Sequence, residues 1–415
     1  MPKSFRTGDQ ALVRELNRAI MLNLLRSHPQ SRADLAAASG LNKTTVSSLI
    51  AELLTAGLVR ETGMAASGGG RPGTLLTLNP RAGGMIGVEL GVEYLRVVLA
   101  DFCGASIWHQ ELAFDPRDGA GAAVEVLIGM VGEAVRVARD ADGNVLGLGL
   151  TAPGLVDIET GTLVFAPNLA WRDVPLRQRL QQAFSFPIFV DNDAKASALG
   201  ERYFGVAQGV DNFVFVLANA GLGCGLVLGG QVHRGATGSA GEMGHTTLLP
   251  DGPLCKCGNR GCWETMASHR ALLERLQGAP GTATHALDQY GDISMESIMA
   301  AAEAGDDVVL EALRETGRYL GIGIANIVNV FNPSLVVVGG ALSLAAEFLL
   351  PPIREMVDER AMAWPRQATQ ILVAAHRFDS VAMGGVALVQ HDILSHPRLD
   401  LPRSGLIPRR KGRSA

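Results

Sequence analysis

The chain has 415 residues, 47% apolar and 19% charged, which is enough for two or three packed domains and excludes a mainly disordered chain. The net charge of −5 conceals an asymmetry: residues 1–82 carry ten Lys/Arg against five Asp/Glu, so a +5 segment precedes a remainder of −10. The opening MPKSFRTGDQALVRELNR has no apolar signal core, and no apolar run reaches the eighteen or so residues of a membrane span; a cytoplasmic protein without a membrane partner is expected.

Leu12, Leu16, Ile20, Leu22, Leu24 and Leu25 recur at roughly helical spacing until His28-Pro29, predicting a first helix. Ser31 with Asp34 three residues on resembles a capping box and opens the short helix RADLAAAS, which Gly40 ends. Asn42 can then cap KTTVSSLIAELLTAG, where Val46, Leu49, Ile50, Leu53 and Leu54 form one apolar stripe. The opposite face holds Lys43, Thr44, Thr45, Ser47 and Ser48, small polar and basic residues able to reach base edges and phosphates.

An ordinary solvated helix face has the same composition, so the next segment decides. LVRET, a loop with Gly68-Gly69-Gly70-Arg71-Pro72-Gly73, and TLLTL read as a β-hairpin wing whose tip carries Arg71 for a narrow minor groove. Residues 1–82 are therefore expected to form a winged helix-turn-helix domain. Its DNA partner would be an inverted-repeat operator bound by a homodimer or homotetramer.

From Gly84 the chain alternates β-like runs (MIGVEL, LRVVLAD, LGLGLTA, FPIFVD, NFVFVLA, GLVLGG, SLVVVGG, ILVAA) with helical stretches, predicting α/β layering in two halves over residues 83–396. Residues 397–415 are basic and proline-containing, and a disordered tail is expected. His245, Cys255, Cys257 and Cys262 form H-x9-C-x-C-x4-C, a donor set suited to a closed, structural Zn²⁺ site with no position left for water. Cys103 and Cys224 are expected to be small buried residues, and Trp171 and Trp263 to be core.

The motif APGLVD, the run Val190-Asp191-Asn192-Asp193-Ala194, the run Gly241-Glu242-Met243-Gly244-His245 and the Cys-rich loop resemble, in order, those of the ROK family of repressors and sugar kinases. The resemblance implies a two-lobed, actin-like (ribonuclease H-like) fold. It also implies sugar contacts at Asn168, Asn192, Asp193, Glu242, His245 and Glu264, with Pro153 and Gly154 shaping a turn. Carboxylates and amides are suited to vicinal hydroxyls, which both donate and accept. Read alone, Asn192 or Asp193 serves equally well as a helix cap. Upstream, GLNKTTVSSLIAELLTAGLV is similar to the recognition helix of bacterial xylose repressors, which favours xylose, although pentoses, glucose and N-acetylhexosamines all present the same hydroxyl chemistry.

In a ROK kinase Asp193 would be the general base, and two glycine-rich loops would hold ATP phosphates. Where the first kinase loop resembles Asp-x-Gly-Gly-Thr-Lys, this chain has Glu89-Leu90-Gly91-Val92-Glu93-Tyr94, with Glu93 expected to repel phosphate. The second, Asn219-Ala220-Gly221-Leu222-Gly223, lacks the family's threonine. No catalytic residue is therefore assigned. The expectation is a sugar-responsive repressor rather than an enzyme. A sugar kinase with a DNA-binding appendage is the alternative, and a regulator that binds a phosphotransfer protein without a sugar is a third reading.

Overall fold

The structure is a computed structural model that describes residues 9–64, 73–141, 143–278 and 293–400. Arg71 at the expected wing tip and residues 401–415 of the expected tail lie outside them.

Helix α1 (Gln10–Ser27) is followed by β1 (Gln30–Ser31), α2 (Arg32–Ser39), α3 (Lys43–Thr55), β2 (Val59–Met64) and β3 (Thr74–Leu78), with sheet order β1-β3-β2. The local signals act as read. Ser31 Oγ accepts the Asp34 N–H at 3.3 Å while the Asp34 carboxylate accepts the Ser31 N–H at 3.0 Å. Gly40 closes α2 at φ 70°, a left-handed value that costs glycine no steric strain. Asn42 Oδ1 accepts the Thr45 N–H at 2.8 Å, and Val46, Leu49, Ile50 and Leu53 are buried beneath α3. The first half of α1 departs from its apolar spacing. Leu16 and Ile20 are 52% and 42% exposed, because that half meets α3 through Arg14 and Arg18 pairing with Glu52, and only Met21, Leu22 and Leu25 are buried.

Lobe I contains β4 (Gly84–Leu90), β5 (Tyr94–Ala100), β6 (Ser106–Ala113), α4 (Gly119–Asp140), β7 (Val145–Ala152), β8 (Leu155–Asp157), β9 (Thr162–Ala166), β10 (Trp171–Val174), α5 (Leu176–Gln181) and β11 (Ile188–Asn192). Its main sheet runs β11-β7-β4-β5-β6, and β8 to β10 form a small sheet of their own. Next come α6 (Asp193–Phe204), β12 (Phe213–Ala218), β13 (Leu222–Leu228), β14 (Gln231–Val232), α7 (Glu264–Ala267) and α8 (His269–Gly278). They are followed by α9 (Met295–Glu303), α10 (Asp307–Phe331), β15 (Leu335–Gly339), α11 (Ala346–Arg360), α12 (Ala363–Ala368), β16 (Gln370–Val373) and α13 (Ser380–Ser395). The lobe II sheet runs β14-β13-β12-β15-β16.

Both sheets share one plan: a first strand joined to an antiparallel second, a third beyond it, and two parallel strands on the other side. The repeat establishes the two lobes. The parallel strands are buried on both faces, which is why they read as unbroken apolar runs.

Helix α13 returns from lobe II to lie on the lobe I sheet. The approach is so close that a Cβ on Gly87 would fall 2.0 Å from the Ala382 carbonyl oxygen, and one on Gly149 2.0 Å from that of Gly385. Gly384-Gly385 is thus a packing surface. A single apolar cluster runs from Leu22, Leu25 and Leu53 of the N-terminal module through Leu78 and Phe102 to Leu199, Val389 and Leu394. Cys224 is buried as expected. Cys103 is exposed instead, because it sits on the turn after β5, where its N–H is taken by Asp101.

Candidate functional site

Helix α6 starts where β11 ends, at the base of the cleft between the lobes. Asn192 is its N-cap: Oδ1 accepts the Lys195 N–H at 3.2 Å, while Nδ2 donates to the Gly154 carbonyl at 3.1 Å and to Asp193 Oδ1 at 2.9 Å. Asn192 is buried and its amide is fully engaged, so it orients Asp193 from behind. Of this pair, Asn192 is therefore the cap, and Asp193 is the first residue of the helix. Asp193 Oδ1 also accepts the Ala194 N–H at 2.7 Å. Burial lifts the Asp193 carboxyl to about 7, and the nearby charge of Glu242 adds to the rise.

Glu242 and His245 are placed by glycines that ride on β13. A Cβ on Gly241 would be 2.1 Å from the Cys224 carbonyl oxygen, and one on Gly244 would be 2.0 Å from that of Leu222. Glu242 is exposed, and His245 is partly exposed. Glu264 opens α7 and divides its carboxylate. Oε1 lies 2.9 Å from Cys255 Sγ and 3.5 Å from His245 Nδ1, while Oε2 accepts the Leu222 N–H at 3.4 Å. Asn168 reaches the same place from the β9–β10 turn, where Ala170 holds a left-handed φ of 56°. A Cβ on Gly221 would lie 3.0 Å from Glu264 Oε2 and 3.4 Å from Asn168 Nδ2. Of the six sequence-selected residues, Asp193 thus lies near Glu242, and Glu264 near His245 and Asn168, while Asn192 stands behind Asp193.

His245, Cys255, Cys257 and Cys262 bring one nitrogen and three sulfurs within 4.8 Å of one another. Cys257 Sγ is 3.7 Å from Cys262 Sγ, and Cys255 Sγ is 3.6 Å from His245 Nδ1. The edge of a tetrahedron around an ion with metal–sulfur bonds of about 2.3 Å is about 3.8 Å, so the cluster can hold a tetrahedral metal. Gly258 and Gly261 turn the loop at φ 93° and 62°, and the Cys257 N–H points at Cys255 Sγ from 3.5 Å. Trp263 anchors the loop from below. It is fully buried, and its Nε1 donates to the Tyr319 carbonyl at 2.8 Å.

Both glycine-containing loops make contacts within the chain. In the first, the Tyr94 ring covers Gly91, where a Cβ would sit 2.7 Å away, and Tyr94 Oη donates to Glu89 Oε1 at 2.5 Å. Arg96 pairs with Glu89 at 3.0 Å, donates to the Phe378 carbonyl at 3.1 Å and also binds Glu111. Burial raises the Glu89 carboxyl to about 7, against the opposing pull of Arg96. Glu89 is thus enclosed with its partners, whereas Glu93 is exposed on the β4–β5 turn. In the second loop, Asn219 Oδ1 accepts the Ala341 N–H at 2.7 Å and ties the loop to the Gly339-Gly340 turn.

One interlobe contact carried no sequence signal on the Arg234 side: Asp191, at the end of β11, takes both terminal nitrogens of Arg234 at 2.8 and 2.6 Å.

On the N-terminal module Lys43, Thr44, Ser47 and Ser48 are exposed along α3 and Thr45 is partly exposed. Ser48 Oγ accepts from Arg14 at 2.8 Å, which adds a cation of α1 to this face.

The ROK family signature matches residues 85–392, and that of the IclR helix-turn-helix domain matches residues 18–63. A xylose repressor of Caldicellulosiruptor bescii is 35% identical over 94% of this chain and 99% of its own. A solved ROK family transcriptional regulator, homologous to the E. coli MLC protein, superposes with a TM-score of 0.77 at 30% identity over 92% of this chain and 97% of its own. A ROK family glucokinase from Streptomyces griseus, solved with glucose and AMPPNP, gives a TM-score of 0.67 at 32% identity over 74% of this chain and 100% of its own.

Proposed function

The chain belongs to the ROK family, and from that premise we propose that it is a sugar-responsive transcriptional repressor, released from its operator when a sugar, xylose first among the candidates, fills the interlobe cleft. What supports this reading is that the candidate sugar residues group together, while residues of the two altered loops bond within the chain. Asp193 lies near Glu242, and Glu264 near His245 and Asn168, while Tyr94 and Arg96 bond to Glu89 and Asn219 to Ala341.

The residues take distinct roles. Asp193, Glu242 and Glu264 accept sugar hydroxyls, Asn168 donates to them, and Asn192 fixes Asp193. His245, Cys255, Cys257 and Cys262 would hold a Zn²⁺ ion, which would supply cross-linking rather than chemistry, since four protein ligands complete a tetrahedral shell. With Nδ1 so engaged, the His245 imidazole would be fixed with Nε2 left for the sugar. Lys43, Thr44, Thr45, Ser47 and Ser48 meet the major groove, and Arg71, outside the described residues, would add a minor-groove contact. A homodimer or homotetramer would place two such faces about one DNA turn apart on an inverted repeat.

The test is operator affinity with and without xylose, glucose or N-acetylglucosamine, for wild type, Asp193→Ala and Glu242→Ala. Sugar should weaken DNA binding by the wild type, and the variants should bind DNA but ignore sugar. Sugar that tightens DNA binding, or variants that respond normally, would overturn the assignment.

The kinase reading keeps one observation in its favour: Asp193 stands capped and oriented at the cleft, as a general base would need. ATP-dependent phosphorylation of any of the three sugars, lost in Asp193→Asn, would establish it. No turnover is expected.

A further inference from the structure

The helix that begins in the cleft ends against the DNA-reading module. Asp193 is the first residue of α6, and at 1.5 Å per residue its twelve residues span about 18 Å. At the far end the Arg26 guanidinium, from the last turn of α1, donates to the carbonyls of Arg202 and Tyr203 at 3.1 and 3.4 Å. These are among the last carbonyls of α6, where the helix presents its negative end and leaves acceptors open to a cation. The same guanidinium lies over the Tyr203 ring, 4.7 Å from its centroid. Tyr203 Oη is 2.8 Å from His391 Nδ1 of α13, and Asn23 Nδ2 of α1 donates to the Leu394 carbonyl at 3.2 Å.

Between its ends α6 has no slack. A Cβ on Gly225 of β13 would be 2.3 Å from the Ala194 carbonyl oxygen, so lobe II rests directly on the helix backbone. On the other side a Cβ on Gly384 would be 2.5 Å from the Ala196 carbonyl carbon. Glu201, buried near the end, accepts the Ala375 N–H at 3.1 Å, tying α6 to the strand-to-helix crossing between lobes. A change in lobe position is transmitted along such a rod, because close-packed backbone contacts switch between arrangements and do not compress. The Arg26 contact itself is incompletely satisfied: Nε is buried without a partner, so the docked arrangement is held less firmly than a fully bonded one.

We propose that Arg26 is the positioning residue through which the cleft controls the DNA-reading module: it grips the C-terminal end of the helix whose N-terminal end carries Asp193. The inference rests on the sugar-responsive reading above. Occupancy of the cleft shifts α6, the grip on Tyr203 and the α6 carbonyls changes, and α1 reorients with α3 behind it.

The experiment compares wild type, Arg26→Ala and Arg26→Lys in three measurements. These are affinity for xylose, glucose and N-acetylglucosamine alone, affinity for a duplex selected by the wild type from a random pool, and affinity for that duplex with sugar present. Coupling between two sites is commonly about 5–150-fold and reciprocal, so DNA must weaken sugar binding by the factor by which sugar weakens DNA binding. Arg26→Ala is expected to keep both separate affinities within about threefold while both reciprocal factors fall toward one; Arg26→Lys, which retains a donor to the helix carbonyls, should recover part of them. A merely structural role would instead change the separate affinities and leave the factor intact. Arg26→Ala with the full wild-type factor overturns the proposal. A wild type that binds none of the sugars overturns the reading beneath it. In that case faster amide exchange of α1 residues 21–27 in ligand-free Arg26→Ala still supports the grip, and unchanged exchange removes it.

Discussion

Replacing Asp193 by Asn should stabilise the protein at alkaline pH while abolishing sugar binding. The carboxyl titrates near 7 in the folded chain against an ordinary value of 3.8, lifted first by burial and then by Glu242. A raised carboxyl value means that its contribution to stability is fully present below about 3.8 and is lost as pH rises through about 7. Three pH units at about 1.4 kcal/mol each set a ceiling of about 4 kcal/mol for the cost of ionisation. The group is only partly buried, so water screens part of that cost and about 1–2 kcal/mol is expected, or roughly 1–2 °C in Tm for a chain of this length. Asn keeps the acceptor used by Ala194 and Asn192 and never ionises. The assay is Tm of both proteins from pH 5 to 8.5, with sugar affinity measured alongside. The advantage of the variant should widen up to about pH 7 and then level. A difference that stays flat or narrows with pH would refute the buried, charge-crowded description of Asp193.

Purified protein should carry about one zinc per chain that resists dialysis, and Cys257→Ser should lower both zinc content and Tm; intact thiols with no metal would remove the site. Gly323→Ala should shed zinc at a lower chelator concentration, because its Cβ would fall 2.0 Å from the Trp263 ring that anchors the metal loop; unchanged zinc retention would show that the ring can yield. Lys43→Ala should weaken binding to all DNA sequences alike and reduce the slope of log affinity against log salt by about 1, as loss of one phosphate contact requires; a sequence-dependent loss would mean that it reads a base.

The parts of the fold that follow from local chemistry were readable in the chain. Ser31/Asp34, Gly40 and Asn42 bound their helices where the residue types require, and strands buried on both faces advertise themselves as apolar runs. Strand β6 gave no such run: it is the edge of its sheet and alternates exposed and half-buried residues. The candidate site residues were chosen by motif order, which carried no sign of how they support one another. That Asn192 supports and Asp193 faces outward depends on the Gly154 carbonyl, 38 residues away. The burial of Glu89 beside the exposed Glu93 was not legible, because it depends on Tyr94 and Arg96 covering it from the next strand. The Arg234–Asp191 and Arg26–Tyr203 contacts join segments whose sequences say nothing of each other.

The apolar cluster that runs unbroken from α1 into α6 and α13 makes residue 82 a boundary of composition but not of cooperativity. Heat should unfold the described chain through a transition in which the N-terminal module and lobe I melt together, since neither half of that cluster is closed without the other. A sugar-binding relative that lacks the module would leave Phe102, Leu394 and the Tyr203 ring facing water, so it would need polar side chains there to stay monomeric. The side chains at those three positions are thus a record, written in the sugar-binding half alone, of whether a chain of this kind was built to carry a DNA reader.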